Sequence, residues 1–292
     1  MDIKKKTWEW IKSLLYAIVA ATIIRLYVFE TMLVPTPSMV PTIQIGDRLF
    51  VEKITYTTRE PRIGEIVVFW SPFKDERALQ MLRLFDKFMD LFSPRKFKGH
   101  VKYVKRIVGK EGDVLEIKVG PDGNYHLYVN GKIPEVLKDI VYEPDGIFRY
   151  PEFLNWLDRA SMLRNDPVKY REFLMYLARK YGTRVANVVF SIVGGYQPFT
   201  KKFYPGAPYH EYFQEYLSKL DLSKYIYRKE GHVVVKIPKG FYFFMGDNSP
   251  ESLDSRFFGF VPKENVIGMP ILRIWPFERF GPVQPIPSEG SS

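Results

Sequence analysis

Ser38 stands in the stretch Val34-Pro35-Thr36-Pro37-Ser38-Met39-Val40-Pro41-Thr42. Proline fixes φ and biases the residue before it towards extended backbone, so the stretch is a stiff, extended rail with a hydroxyl on it. A serine presented in this way is a nucleophile if a base takes its proton. The same Pro/Ser/Thr run also suits a plain linker. The choice turns on whether the rest of the chain supplies a base and a place to hold it.

The chain has no cysteine, which excludes a thiolate nucleophile, a disulfide and a cysteine metal site. Its four histidines, His100, His126, His210 and His232, stand in no HExxH or other short ligand spacing, so surface or packing roles and no metal are expected. Ser38 lies in no Gly-x-Ser-x-Gly elbow. Triads assemble in space, so a histidine base stays open on these grounds. Lysine is the other route. Near its ordinary pKa of about 10.4 it is neutral at pH 7 in only one molecule in about 2,500, and burial lowers that pKa. Lys105 lies in Val101-Lys102-Tyr103-Val104-Lys105-Arg106-Ile107-Val108. Strand alternation puts Val101, Tyr103, Lys105 and Ile107 on one face. A half-exposed strand would carry a surface lysine in the same pattern. A third stretch, Gly246-Asp247-Asn248 through Ser252, Asp254, Ser255 and Arg256 to Pro262, is dense in turn formers, hydroxyls, carboxylates and a guanidinium.

The elements that must position these groups are mostly strands. A Gly46-Asp47 turn leads into Arg48–Lys53, and Pro61–Gly64 leads into Glu65–Trp70. Val101–Gly109, Val114–Ile117 and Tyr125–Val129 follow, with Asn130-Gly131 as a hairpin signal. His232–Ile237, Gly240–Met245 and Ile267–Trp275 complete the set. Two segments break the pattern. Between Ser71 and Gly99, Leu79, Leu82, Phe85, Phe88, Met89 and Phe92 recur at helical spacing. From about Leu137 to Glu230 helices are expected over Pro151–Arg164, over Pro167–Tyr181 with Asp166 as its cap, and over His210–Leu220.

Upstream of Ser38, Lys4-Lys5-Lys6 precedes an apolar run from Trp8 to Phe29. Its uncharged centre is about a dozen residues, as in a cleaved signal peptide. The longer reading, with Lys12 and Arg25 snorkelling and aromatic residues at both ends, reaches the roughly 20 residues that a span needs. Bulky Arg25-Leu26-Tyr27 offers no small-x-small cleavage site, which favours an uncleaved anchor. The lysines put its N-terminus in the cytoplasm and the remainder outside. Hydrophobic and charged contents of 46% and 26% suit a folded protein, and a net charge of +10 suits an anionic partner. With no nucleic-acid-binding motif and an anchor present, that partner is expected to be anionic phospholipid.

Taken together, Pro35–Thr42, Gly64–Phe69, Tyr103–Gly109 with Gly112-Asp113, and Gly246–Pro262 resemble, in order and chemistry, the boxes of bacterial type I signal peptidases, the membrane-anchored Ser/Lys endopeptidases. The resemblance covers roughly residues 1–70, 100–136 and 231–280. It implies Ser38 as nucleophile and Lys105 as general base. Thr36 matches a hydroxyl that assists the oxyanion hole, and Ser252 a serine that orients the lysine amine. Asp254 and Arg256 match a structural ion pair, Gly246 a close backbone approach, and Trp275 a tryptophan at the membrane surface. Pro37 stands where glycine is common and Glu65 where aspartate is common. No cofactor is implied, and the implied partners are secretory preproteins with their signal peptides cut after small-x-small sites.

The expected architecture is therefore mostly β: a signal-peptidase-like antiparallel catalytic domain with one N-terminal transmembrane helix and helical insertions. The expected divisions are a cytoplasmic 1–6, an anchor at 7–29, and a β-rich catalytic domain at 30–136 and 231–280 interrupted by a helical 71–99. A mostly helical 137–230 and a flexible tail at 281–292 complete them. The rivals are a related Ser/Lys processing peptidase with another substrate and an inactive membrane-anchored scaffold.

Overall fold

The apolar runs Ile66–Trp70 and Phe241–Met245 build strands buried on both faces, and the molecule organises around two cores. The computed structural model describes residues 3–82, 84, 91–197, 200 and 202–283. Helix α1 (Ile3–Tyr27) exposes large apolar side chains from Trp8 to Tyr27. Its stretch Lys6–Tyr27 is long and apolar enough to cross a membrane. The helix stops two residues short of the expected Phe29. That residue instead opens strand β1 (Phe29–Leu33), pairing with Glu52 and packing its ring 4.7 Å from that of Phe50.

Strands β2 (Arg48–Glu52), β3 (Ile66–Trp70), β4 (Lys102–Lys110), β5 (Val114–Val119) and β6 (Tyr125–Val129) follow, with short helices α2 (Thr55–Thr58) and α3 (Glu76–Met81) between them. Helices α4 (Phe153–Leu163), α5 (Pro167–Tyr181) and α6 (Thr183–Val193), the hairpin β7 (Gly195–Tyr196) and β8 (Phe203–Tyr204), and helix α7 (Tyr209–Tyr212) come next. The chain then returns to β9 (Ile226–Lys229), β10 (His232–Lys236), β11 (Phe241–Met245), a helical turn α8 (Ser255–Phe258), β12 (Val261–Pro262), β13 (Val266–Trp275) and β14 (Gly281–Pro282). The main sheet has the order β1-β2-β13-β3-β4-β11-β12, with β14 on β13, and the second has the order β6-β5-β10-β9; every named pairing is antiparallel.

Strand β3 shows how the cores divide. Val67 and Phe69 point into the larger cluster, whereas Ile66 and Val68 point into a smaller one with Val34, Met39, Ile43, Leu49, Val51 and Val104. The smaller cluster is what seats the Ser38 rail. Segment 137–230 has no separate core. Leu154, Leu157, Leu174, Leu177 and Val189 join Phe243 and Phe244 of β11 in the larger cluster.

Several expectations shift. Asp166 caps α5 through Val168 N–H and Lys169 N–H, as expected. Helix α6 was not foreseen, because Val185, Val189 and Ile192 are weak helix formers that tertiary burial holds in place. The His210–Leu220 helix is instead α7 running into a π-helical turn at Phe213–Leu217. Helix α3, capped by Asp75, ends at Met81 with Leu82 already extended, so no continuous helix runs from Leu79. Phe85, Phe88 and Met89 lie outside the described residues, as do positions 284–292 of the tail. Asn130-Gly131 makes a tight turn, both residues at positive φ, but it closes only a single bridge from Val129 to Lys132.

Candidate active site

Ser38 is held by what flanks it. Val34, Met39 and Ile43 are fully buried and plug the rail into the smaller core. Each such side chain contributes about 1.5–3 kcal/mol relative to exposure. Between these plugs the chain turns, with Val40 N–H donating to Pro37 O at 3.0 Å and Ile43 N–H to Met39 O at 2.9 Å. Ser38 itself is buried, and its Oγ lies 3.5 Å from Thr36 Oγ1.

Lys105 reaches the same point from β4. Its register partner is Val67, and it shares a face with Tyr103, whose ring centroid is 5.7 Å from Nζ. Nζ lies 2.5 Å from Ser38 Oγ and donates to Val104 O at 3.1 Å. Only 5% of Lys105 is exposed. Burial pulls its pKa down from the ordinary 10.5 to about 8, against the opposing fields of Asp254 and Asp247. The strand alternation drawn from sequence thus delivers a buried lysine, not a surface one.

The loop from Gly246 to Arg256 closes over both. Asn248 N–H donates to Ser38 O at 3.1 Å and Asn248 Nδ2 to Pro37 O at 3.1 Å. Gly246 is where this loop touches the serine. A Cβ added there would lie 2.3 Å from Ser38 O and 2.3 Å from Ser252 Oγ, so only glycine permits the approach. Gly246 N–H donates to Asp254 Oδ2 at 3.0 Å, and Asp254 pairs with Arg256 at 2.8 Å, both side chains wholly buried. Ser252 is buried beside Gly246, but its Oγ has no hydrogen-bond partner among the described residues. The bond from Ser252 to the lysine amine that the resemblance implies is therefore not formed in this conformation.

Sequence reasoning missed a second ion pair. Arg106 Nε and Nη2 donate to Asp247 Oδ1 and Oδ2 at 2.8 and 2.6 Å, and Thr42 Oγ1 donates to Asp247 Oδ2 at 2.5 Å. One carboxylate thus ties the serine rail to the residue next to Lys105. Strand alternation turns Arg106 away from Lys105, but its pairing with Asp247 joins distant parts of the chain, which no local pattern shows. Asp75 was missed too. Besides capping α3, it accepts from Tyr103 Oη at 2.8 Å and so steadies the ring beside Lys105.

The histidines stand elsewhere: His100 bonds Ser71 O, His126 bonds Asp122, His210 bonds Asp158 and His232 bonds Glu116. The group the structure places against Ser38 Oγ is Lys105, while each histidine bonds elsewhere. Among the described residues no group of His, Asp or Glu is placed to hold a metal ion. Trp275, at the end of β13 opposite Arg48, is half exposed with its ring 4.8 Å from that of Phe277.

A buried serine against a buried lysine of depressed pKa, on an antiparallel β framework, defines a peptidase-like Ser/Lys centre. The family profile described as "Signal peptidase, peptidase S26" matches residues 7–173 and 185–275. The chain belongs to that family, whose members are membrane-anchored serine endopeptidases. It is 28% identical over 264 residues to the signal peptidase I of Aquifex aeolicus (strain VF5), covering 88% of this chain and 80% of that protein. It is 27% identical over 278 residues to a probable signal peptidase I-2 of Synechocystis sp., covering 95% and 78%. A crystal structure of a signal peptidase I from Enterococcus faecalis V583, 18% identical, overlaps 72% of this chain and 97% of that one at a TM-score of 0.27.

Proposed function

We propose that the protein removes N-terminal signal peptides from secretory preproteins, cutting after small-x-small sites, with Ser38 as nucleophile and Lys105 as general base. The observation that carries this reading is the 2.5 Å approach of a buried, readily deprotonated Lys105 Nζ to Ser38 Oγ. Neutral Lys105 takes the hydroxyl proton as Oγ attacks the scissile carbonyl. The resulting ammonium then gives that proton to the leaving amine, and an acyl-enzyme forms. Lys105, neutral again, deprotonates the water that cleaves the ester. The Ser38 N–H, unbonded among the described residues, and the Thr36 hydroxyl stabilise the oxyanion, a contribution of about 3 kcal/mol per donor in comparable sites. Asp254, Arg256 and Gly246 hold the loop that carries Ser252, and Ser252 orients the amine once substrate settles the site.

Two strand edges receive the substrate. Among the described residues, strand β1 pairs with β2 alone, and β11 runs along β4 as far as Met245 opposite Arg106, which leaves the edge of β4 before Arg106 without a strand on that side. An extended cleavage region adds between these edges by β-augmentation, its small side chains entering shallow pockets. Helix α1 crosses the membrane with its N-terminus in the cytoplasm and the catalytic unit outside. Trp275, Phe277 and the exposed Phe280 rest on an anionic phospholipid surface, which the net charge of +10 favours. Incubation with a preprotein bearing an Ala-x-Ala site tests the reading. Wild type should release the mature chain, while Ser38→Ala and Lys105→Ala should each fall by at least about a thousandfold. Cleavage that survives either substitution would remove the dyad.

A further inference from the structure

Glu30 is a buried carboxylate that the chemistry does not use. It lies on β1, three residues past the end of α1, and it gathers lysines from two other elements. Lys102 of β4 donates to Oε1 at 2.6 Å and Oε2 at 2.7 Å, and Lys53, just beyond β2, donates to Oε2 at 2.9 Å. Lys53 does more. Its Nζ also donates to Arg25 O at 2.9 Å and Leu26 O at 3.2 Å, two carbonyls of the last turn of α1. A helix leaves its final carbonyls unsatisfied, and a cation there also complements the helix dipole. Here the cation comes from the catalytic unit. Val28, the residue between helix and strand, is bonded at both ends: its N–H donates to Ile24 O at 2.8 Å, and its carbonyl accepts from Lys53 N–H at 2.9 Å. No free residue separates the membrane helix from the strand that runs to Ser38.

We propose that Lys53 and Glu30 are positioning residues that lock α1 rigidly to β1, β2 and β4, fixing the height of Ser38 above the bilayer and so the spacing between a precursor's apolar core and its scissile bond. The inference rests on the function proposed above and adds a ruler to it. A slack tether would let the active site find cleavage sites at many heights. A rigid joint allows one, because each extended substrate residue moves the scissile bond by about 3.3 Å, and misplacement by about 1 Å is already costly to catalysis.

The test uses full-length enzyme in liposomes and a series of precursors in which the segment between apolar core and Ala-x-Ala site is lengthened or shortened one residue at a time. A soluble peptide with the same site, cleaved in detergent, is the control. Wild type should show a narrow optimum, with kcat/KM falling about tenfold within three residues on either side. Lys53→Met should flatten that profile to less than about threefold while leaving the soluble peptide within about twofold of wild type, and Lys53→Arg should keep the narrow optimum. Insertion of Gly-Ser between Tyr27 and Val28 leaves Lys53 in place and should flatten the profile likewise. An unchanged profile in Lys53→Met and in the insertion variant, or a loss of soluble-peptide cleavage as large as the loss on precursors, overturns the joint. A wild-type profile that is flat overturns it as well. A wild type that cleaves neither precursor nor peptide overturns the functional reading beneath it.

Discussion

At the residue scale, Lys105 trades stability for chemistry. Its pKa is about 8 in the fold against 10.5 ordinarily, so below pH 8 its protonation costs the folded state roughly 3 kcal/mol. The sign follows from proton counts: between about pH 8 and 10.5 the unfolded chain holds more protons, so stability rises with pH across that window. Lys105→Met should therefore be inactive yet melt about 5 °C above wild type at pH 7, with the gap closing towards pH 10.5; calorimetry across pH checks this. Gly246 makes the opposite prediction. A methyl there meets Ser38 O and Ser252 Oγ, so Gly246→Ala should lose about 1–3 kcal/mol in denaturant unfolding, and most of its peptidase rate with it. Glu30 adds an acid limit. Burial raises its pKa, but the Lys102 and Lys53 ammonium groups outweigh that and hold it below its ordinary value. Its contribution is intact above about pH 4.5 and is lost as pH falls through the lower folded value.

At the element scale, the site is a meeting of three segments pinned by two buried ion pairs. Asp254–Arg256 shapes the closing loop, and Asp247–Arg106 joins that loop to β4 and, through Thr42, to the serine rail. Removing one partner strands the other charge. Asp247→Ala should cost about 3–5 kcal/mol in urea unfolding, whereas replacing Thr42 by Val should cost only about 1–2 kcal/mol. These elements explain what the sequence could reveal. Strand period and proline stiffness made Ser38 and Lys105 candidates one at a time, because both are local properties, and the order of the four boxes singled them out. Their approach to 2.5 Å is a long-range outcome of sheet register, which no window contains. Arg106 was hidden for the same reason: it reads as an ordinary strand arginine until Asp247 is beside it. Helix α6 was hidden by its own valines, whose strand preference is overridden by packing against α4 and α5.

At the scale of the whole molecule, segment 137–230 is part of the catalytic body. Its helices share the larger core with β11, the strand that leads directly to Gly246, and Tyr209 Oη donates to Phe258 O at 2.8 Å just past Arg256. Leu157→Ala, in the middle of α4, should cost about 2–5 kcal/mol and lower one cooperative melting transition, taking peptidase activity with it. On the proposed reading, helix α1, the joint at Glu30 and the exposed Trp275 edge set one orientation, with the catalytic body seated on the bilayer and the edge of β1 and the N-terminal half of β4 turned to a precursor.

Base catalysis by a neutral lysine is the centre of this reading, and the pH dependence of kcat/KM on an Ala-x-Ala peptide tests it most directly. The rate should climb tenfold per pH unit from acid, bend at a midpoint near 8 and then level, as Lys105 loses its proton. A profile that is flat from pH 5 to pH 10, or one that falls as pH rises through about 8, would contradict it.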